Sequence, residues 1–226
     1  MNFDVLLEDN HCLAINKPAG VPSQADETGS ASLVDLARSY LKLKYNKPGE
    51  VYLGLLHRLD RPTSGVVLLA RTSKAAGRLS EQFRSGTIQK VYWAIVEGAP
   101  AEPEGEWVDR LEKDESRNVT RVVAGDSPEG KDARARYRVL ERLGGLTKIE
   151  LQPGTGRGHQ LRVQLASRGM PILGDVKYGS LGRLRATDGG SRIALHARGL
   201  GFNHPTKREW IWVEAPPPAD WPGLDR

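Results

Sequence analysis

The 226-residue sequence has only one cysteine, no long apolar segment and no basic N-terminal segment. The single cysteine, Cys12, excludes an internal disulfide and a zinc site built from a cysteine cluster. No apolar run approaches the roughly 18 residues of a membrane span, so we expect no membrane partner. The first residues carry acids at Asp4, Glu8 and Asp9 and no basic segment, which is unlike a signal peptide. The sequence therefore predicts a soluble, cytoplasmic protein.

Motifs of the common cofactor enzymes are missing as well. There is no phosphate-binding G-x-x-x-x-G-K-[ST] loop and no G-x-S-x-G elbow, and the glycines of TGRGHQ lack the spacing of a dinucleotide fingerprint. No pair among the five histidines has the spacing of metal ligands on a helix; they stand at positions 11, 57, 159, 196 and 204. We therefore expect neither a cofactor nor a metal.

What the chain does have is a modest positive excess. Lysine and arginine number 33 against 28 aspartates and glutamates, which gives a net charge of +5. Such an excess suits an anionic partner such as nucleic acid, although many proteins that bind no polyanion share it. Hydrophobic residues are 38% of the chain and glycines number 25, which together are typical of a globular protein.

Hydrophobic patterns alternate between strand and helix without the strict rhythm of a doubly wound sheet. Strands are predicted at 3–8, 12–15, 65–70, 90–97, 134–142 and 146–151, the last two joined by a turn at Gly144-Gly145. Helices are predicted at 32–43 with Ser32 as N-cap, at 73–86 with Ser73 as N-cap and Gly86 as the end, and at 159–168. Residues 99–131 read as a polar segment with one short strand at 119–123. We expect an α+β fold with a mixed, mostly antiparallel central sheet flanked by helices and loops, in one domain over residues 1–226.

Asp60 lies in the segment His57-Arg-Leu-Asp-Arg-Pro-Thr-Ser-Gly65, directly before a buried strand. A carboxylate at the mouth of a core strand is held rigidly, and the flanking Arg58 and Arg61 favour its ionised form. Such a group suits a nucleophile or a general base. A turn-capping aspartate in a surface salt bridge fits the same residues.

Two further segments carry candidate residues. Arg162 follows the glycine loop of Thr155-Gly-Arg-Gly-His-Gln-Leu-Arg162, in the first helical turn, where acids are usual. Its position indicates either a carboxylate partner elsewhere in the fold or an exposed helix arginine. Tyr92, in Lys90-Val-Tyr92, either belongs to the core or presents its ring to a nucleic-acid base.

Taken together, these segments resemble the pseudouridine synthases of the RluA family along nearly the whole chain. The resemblance rests on five segments: LAINKPAG at 13–20, HRLDRPTSGVVLLA at 57–70, KVY at 90–92, PGTGRGHQLRVQLASRGMPILGDVKYG at 153–179, and a C-terminal block with ALHA at 194–197 and FNHP at 202–205. The combination of HRLDxxTSG with TGRxHQLR about a hundred residues later is highly specific. The resemblance implies the pseudouridine synthase fold, with an active-site cleft across the sheet, and no cofactor.

The same resemblance implies roles for individual residues. Asp60 becomes the catalytic carboxylate, and Arg162 becomes its partner. Tyr92 becomes the ring that stacks on the uracil and takes part in proton removal. Arg58 is expected to enter the RNA helix where the uridine leaves it, and Leu161 to line the base pocket. His57, Arg61, Arg157 and Lys17 are further candidates for RNA contact. The expected partner is a stem-loop of rRNA or tRNA, bound by a monomer.

The chain departs from the family pattern at two points. Gln164 stands where many relatives have histidine. The first catalytic strand begins by about Asp4, so we expect no N-terminal S4-type RNA-binding domain, and RNA would be held by the catalytic domain alone. Two other functions fit the residues: a catalytically silent RNA-binding module of the same fold, and a hydrolase using Asp60 with His57 or His159.

Overall fold

A computed structural model describes residues 3–26, 29–185 and 191–222, and the chain divides into two units. The first unit comprises Met1–Lys90 and Ala197–Pro218, and the second comprises Val91–His196 and Ala219–Arg226. Whether the whole chain acts as one catalytic domain stays a prediction.

Strands β1 to β4 and helices α1 and α2 form the N-terminal part of the first unit. Their bounds are β1 Asp4–Glu8, β2 Cys12–Lys17, α1 Leu33–Lys44, β3 Gly54–Leu55, β4 Ser64–Ala70 and α2 Ser73–Arg84. β2 pairs antiparallel with β1 on one side and β4 on the other, and β3 also pairs with β4. Every residue of β4 is buried, as its continuous apolar run predicts.

The second unit contains a five-stranded antiparallel arrangement. Its strands lie in the order β5-β9-β8-β6-β7, with bounds β5 Gln89–Glu97, β6 Glu104–Asp114, β7 Val119–Val123, β8 Lys131–Leu143 and β9 Leu146–Pro153. These strands are followed by helix α3 (Gln160–Ala166) and a 3-10 turn (Val176–Tyr178). Two short strands come next, β10 (Leu184–Arg185) and β11 (Ser191–Arg192).

The chain returns to the first unit within β12, Leu195–Asn203, which pairs antiparallel with β13, Trp210–Glu214. Leu200, Phe202 and Val213 pack into the core of the first unit together with Leu68 of β4 and Leu79 of α2. The core of the second unit is built around Ile95, Ile149, Leu161 and Leu165, which join β5 and β9 to α3.

The α+β architecture and the antiparallel character of the sheet are confirmed, since every strand pair with a described register is antiparallel. Ser32 caps α1 in a capping box with Asp35, as predicted. Three local predictions were wrong. Thr72, not Ser73, caps α2; α3 is shorter than predicted; and Glu104–Asp114, assigned to a polar segment, is an eleven-residue strand.

Strand β6 was not predicted because most of its residues are polar and only Trp107 and Leu111 are buried hydrophobic residues. Its hydrogen bonds are supplied by long pairings with β8 and β7, which override the weak local pattern. Within the described residues, no helix has the length and apolarity needed to span a bilayer.

Candidate active site

The loop that carries Asp60 is fastened to the segment after β2 by four hydrogen bonds. Gly20 N donates to Arg61 O at 2.8 Å, and Arg61 Nε donates back to Gly20 O at the same distance. Ser23 Oγ donates to Leu59 O at 2.8 Å and accepts from Leu59 N at 3.1 Å. These reciprocal pairs bracket Asp60 on both sides in sequence. The carboxylate is therefore displayed by a loop whose backbone is fixed, immediately before the buried β4.

Lys17 is the centre of this fastening. Its side chain is fully buried, with 0% exposure, and its Nζ donates to Val21 O at 2.7 Å, Pro18 O at 3.0 Å and Arg61 O at 3.2 Å. Burial lowers the pKa of Lys17 to about 7, although the negative charge of Asp60 acts in the opposite direction. The prediction that Lys17 contacts RNA was wrong, because a buried ammonium on three carbonyls cannot reach a phosphate. Lys17 holds the loop instead.

His57 is also a structural residue. Its Nε2 accepts a hydrogen bond from Leu68 N at 3.0 Å, and its ring stacks on Phe83 of α2 with the centroids 4.8 Å apart. Burial, and secondly the positive charge of Lys90, lowers the pKa of His57 to about 4, so the ring is neutral at pH 7. A histidine whose lone pair is already engaged is a poor general base. This removes the main support for a hydrolase using Asp60 with His57. Because His57 is only partly buried, its contact with RNA stays a prediction.

Arg58 and Arg61 lie on either side of Asp60 in sequence and differ in their contacts within the protein. Arg58 is exposed, as an RNA contact requires. Arg61 is exposed too, but its guanidinium bonds Gly20 O and lies 3.6 Å from Asp26. Their contact with RNA stays a prediction.

In the second unit, Arg162 is buried on α3 and has a carboxylate partner in Asp175. Nε and Nη2 of the arginine donate to the two carboxylate oxygens at 2.7 and 2.8 Å, a bidentate pair in which Asp175 is only 1% exposed. The guanidinium also lies over the ring of Tyr178, 5.0 Å from its centroid. The sequence correctly indicates a carboxylate for Arg162, but it did not point to Asp175. The pairing with Asp60 stays a prediction.

Tyr178 links this ion pair to the glycine loop before α3. Its hydroxyl accepts from Thr120 N at 2.9 Å and lies 2.8 Å from Nδ1 of His159. Either group can donate in the bond between the hydroxyl and His159 Nδ1, depending on the tautomer of the imidazole. His159 is therefore tied into the support of Arg162, and its backbone adopts a left-handed conformation with φ of 54° where α3 begins. Asp175 and Tyr178 lie in GDVKYG, within the segment that carries the family resemblance.

The glycine loop itself is shaped by Gln160, the first residue of α3. Its Oε1 accepts from Thr155 Oγ1 at 2.7 Å and from Arg157 N at 3.1 Å, while its Nε2 donates to Arg134 O at 2.9 Å. Arg157 remains exposed and donates from Nε to Asp132 O. Next in the helix, Leu161 is buried in the core, 7% exposed.

Tyr92 is a half-buried residue of β5, paired in register with Leu151 of β9. It packs at the margin of the core that contains Leu161. Both expectations for this ring, core contact and access to a base, are compatible with that position.

Gln164, the departure from the family pattern, has a defined local role. Its Nε2 donates to Asp109 Oδ2 at 2.8 Å, and Asp109 also pairs with Arg168 at 3.1 Å. The glutamine thus fastens α3 to β6.

One metal-like cluster occurs in the described part of the chain: single ligand atoms of Asp9, Cys12 and His204 lie within 4.8 Å of one another. His204 Nδ1 accepts from Lys207 N at 3.0 Å, so its proton resides on Nε2, which is 2.7 Å from Asp9 Oδ2. Burial raises the pKa of the Cys12 thiol to about 12, which keeps it protonated. The three groups form a hydrogen-bonded link between the β1–β2 turn and the segment after β12, with no lone pair directed at a cation.

Known proteins match the chain along most of its length. Residues 11–167 match the family described as RNA pseudouridylate synthase. The chain is 39% identical over 223 residues to an uncharacterised RNA pseudouridine synthase of Zymomonas mobilis, covering 97% of this chain and 96% of that protein. It is 34% identical over 222 residues to the ribosomal large subunit pseudouridine synthase C of Vibrio parahaemolyticus, covering 94% of this chain but only 65% of that protein.

Solved structures agree. Human RNA pseudouridylate synthase domain containing 4 superposes with a TM-score of 0.79 at 27% identity, covering 96% of this chain and 89% of the human one. Human RNA pseudouridylate synthase domain containing 1 superposes with a TM-score of 0.74 at 27% identity, covering 95% of this chain and 83% of the human one. The sequence motifs, the fold and these matches therefore assign the chain to the RNA pseudouridine synthases, a family of isomerases.

Proposed function

We propose that this chain isomerises uridines of structured RNA to pseudouridine with Asp60 as the catalytic carboxylate. The observation that carries the proposal is the fixed loop: Lys17 and Gly20 bond to Arg61 O and Ser23 bonds to Leu59, so the backbone is held on both sides of Asp60. A reaction in which one carboxylate must meet one sugar or base atom requires such a rigid mounting.

The reaction breaks the C1′–N1 bond, turns the uracil and forms a C5–C1′ bond. The hydrogen at C5 leaves as a proton, and N1 gains a proton. No electron is gained or lost overall, so the chemistry calls for a positioned carboxylate and a binding site for the flipped base. Extruding a uridine from a stack costs a few kcal/mol, less in a loop than in a duplex. We assign Arg58 to the gap left by the uridine and Tyr92 to stacking on the uracil, which together offset part of this cost.

For the remaining residues the assignments are as follows. Leu161 lines the base pocket, Arg157 and Arg61 contact RNA phosphates, and Arg162 partners Asp60. Support for Arg162 comes from the buried, bidentate Asp175 beneath it, which fixes the guanidinium before substrate arrives. We further propose that residues 1–226 act as one monomeric catalytic domain in the cytoplasm.

Ribosomal RNA is the substrate we favour, because a relative that matches 94% of this chain is named for the large ribosomal subunit. The test is incubation of the pure protein with unmodified large-subunit rRNA and, separately, unmodified tRNA, followed by carbodiimide labelling and primer extension. We expect new pseudouridine stops in a stem-loop of the rRNA. Stops only in tRNA would overturn the substrate assignment, and RNA binding without stops in either pool would favour the silent binding module.

A further inference from the structure

Two tryptophans are exposed side by side on β13. Trp210 and Trp212 retain 46% and 41% of their surface, whereas Ile211 and Val213 between and beside them face the core. Indole rings are among the side chains that proteins bury most extensively, so a pair left half exposed on one sheet face is a candidate contact surface.

Glycines of the neighbouring strand shape this surface. A Cβ atom added at Gly199 would overlap the ring of Trp212, reaching 2.9 Å from Cη2, and one at Gly201 would overlap Trp210 and approach Trp212 Cε3 to 2.9 Å. The rings therefore lie flat against the backbone of β12, with their other faces turned outward. Trp212 Nε1 donates to Glu214 Oε1 at 2.8 Å, which fixes its orientation. We call Trp210 and Trp212, seated on Gly199 and Gly201, the tryptophan platform.

Aromatic rings often cover glycines in paired strands simply to restore packing. The position of this platform argues for more. Gly65, the second residue of β4 after the loop that carries Asp60, lies so close to β12 that a Cβ there would stand 2.5 Å from Ala197 N. Ala197, Gly199 and Gly201 share one strand face, and at about 3.4 Å per residue the platform begins about 7 Å along β12 from that contact.

Charge on the hairpin favours a polyanion. Between Ala197 and Glu214 the chain carries Arg198, Lys207 and Arg208 against Glu209 and Glu214, three cations to two carboxylates, a net charge of +1. Lys207 and Arg208 lie in the turn that joins the two strands, and both are exposed. Arg198 pairs with Glu214, and Lys207 Nζ lies 3.4 Å from Glu209 Oε1, so the net charge of +1 resides on Arg208. Flat aromatic faces beside exposed cations are an arrangement with which proteins bind single-stranded nucleic acid without reading its sequence.

We infer that the tryptophan platform stacks unpaired bases of the RNA strand that flanks the target uridine. The inference rests on the proposed function, because a uridine that leaves its stack also frees its neighbours from base stacking. Nucleotides next to the target uridine pass close to the loop that carries Asp60, and β12 closely contacts Gly65 in the strand that follows this loop. The platform therefore extends substrate binding beyond the base pocket and favours uridines in loops over those in continuous duplex.

The test uses a fluorescently labelled ten-nucleotide oligouridylate and a duplex of the same length, titrated with wild type, Trp210→Ala/Trp212→Ala, Trp210→Phe/Trp212→Phe and Leu181→Ala. Leu181 is 94% exposed and serves as an apolar, non-aromatic control. Loss of one stacked base weakens binding by about 5- to 150-fold. We expect the alanine pair to lose at least 5-fold on the oligouridylate and little on the duplex, with the phenylalanine pair and Leu181→Ala close to wild type.

Photocrosslinking to the wild-type protein tests the same contact without a substitution, so its result does not depend on whether the alanine variant folds. Oligouridylate carrying 5-bromouridine should crosslink to the peptide containing Trp210 and Trp212. Equal binding by all variants with no crosslink there would overturn the inference. So would a dimer of the wild type that the alanine pair cannot form, because the platform would then be an interface between copies. Turnover on rRNA is measured in parallel, so that a failure of catalysis is distinguished from a failure of the platform.

Discussion

Lys17 makes the stability of this protein depend on pH in a way that can be worked out in advance. In the unfolded chain its pKa is near the ordinary 10.5, whereas burial lowers it to about 7 in the folded protein. Between pH 7 and 10.5 the unfolded state therefore binds more protons, and the free energy of unfolding rises with pH. The difference between the two pKa values, at about 1.4 kcal/mol per pH unit, corresponds to about 5 kcal/mol over the full interval.

The measurement is urea unfolding at pH 6, 7, 8 and 9 for wild type, Lys17→Met and Lys47→Met. Methionine has similar length and no charge, and the exposed Lys47 provides the matched control. Above pH 7 the wild type and Lys47→Met should gain about 1.4 kcal/mol per pH unit relative to Lys17→Met. The comparison isolates Lys17, since His57 and the other titrating groups are common to all three proteins. Parallel curves for wild type and Lys17→Met would refute a buried lysine with a lowered pKa.

Three other substitutions test the site. His57→Phe leaves Leu68 N without its acceptor, so urea unfolding should show a loss of about 1–3 kcal/mol while kcat per folded molecule is retained; a selective loss of kcat would restore His57 as a functional group. Asp175→Asn removes one charge-assisted bond from Arg162 and should lower the free energy of unfolding by about 1.5–3 kcal/mol and reduce kcat more than it raises KM, whereas unchanged kinetics would separate Arg162 from catalysis. RNA affinity should fall linearly on a log–log plot against salt, and Arg157→Gln should reduce that slope by about 0.7; an unchanged slope would place Arg157 away from phosphate.

Elements with a strong local signal could be predicted from sequence, and those that depend on distant partners could not. Helix α1 has a capping box at its N-terminus, and β4 is a continuous apolar run. Both elements can therefore be predicted from a few adjacent residues. Strand β6 has few buried residues and exists through its pairing with β8 and β7. The same contrast separates the hairpin at Gly144-Gly145, which was predicted, from the β12–β13 hairpin, which was not.

The candidate site divides in the same way. Asp60 and Arg58 could be selected because they are charged residues directly before an apolar strand. Arg162 could be selected because it is a cation in the first turn of a helix, where acids are usual. Lysine is rarely buried, so nothing local distinguishes Lys17 from an RNA-binding lysine; only the fold places three carbonyls around it. Asp175 lies 13 residues from Arg162 along the chain, and the intervening turns decide that they meet.

The central claim is that Asp60 carries the isomerisation, and tritium release tests it most directly. RNA labelled with tritium at C5 of uridine must lose that label when the C5–C1′ bond forms. The assay compares wild type, Asp60→Asn and, as a matched control, Asp126→Asn at an exposed loop position. We predict release by wild type and Asp126→Asn, and at least a thousand-fold slower release by Asp60→Asn with RNA affinity and unfolding midpoint retained, on the order of the rate lost when a catalytic side chain is removed. Release by Asp60→Asn at the wild-type rate would contradict the account.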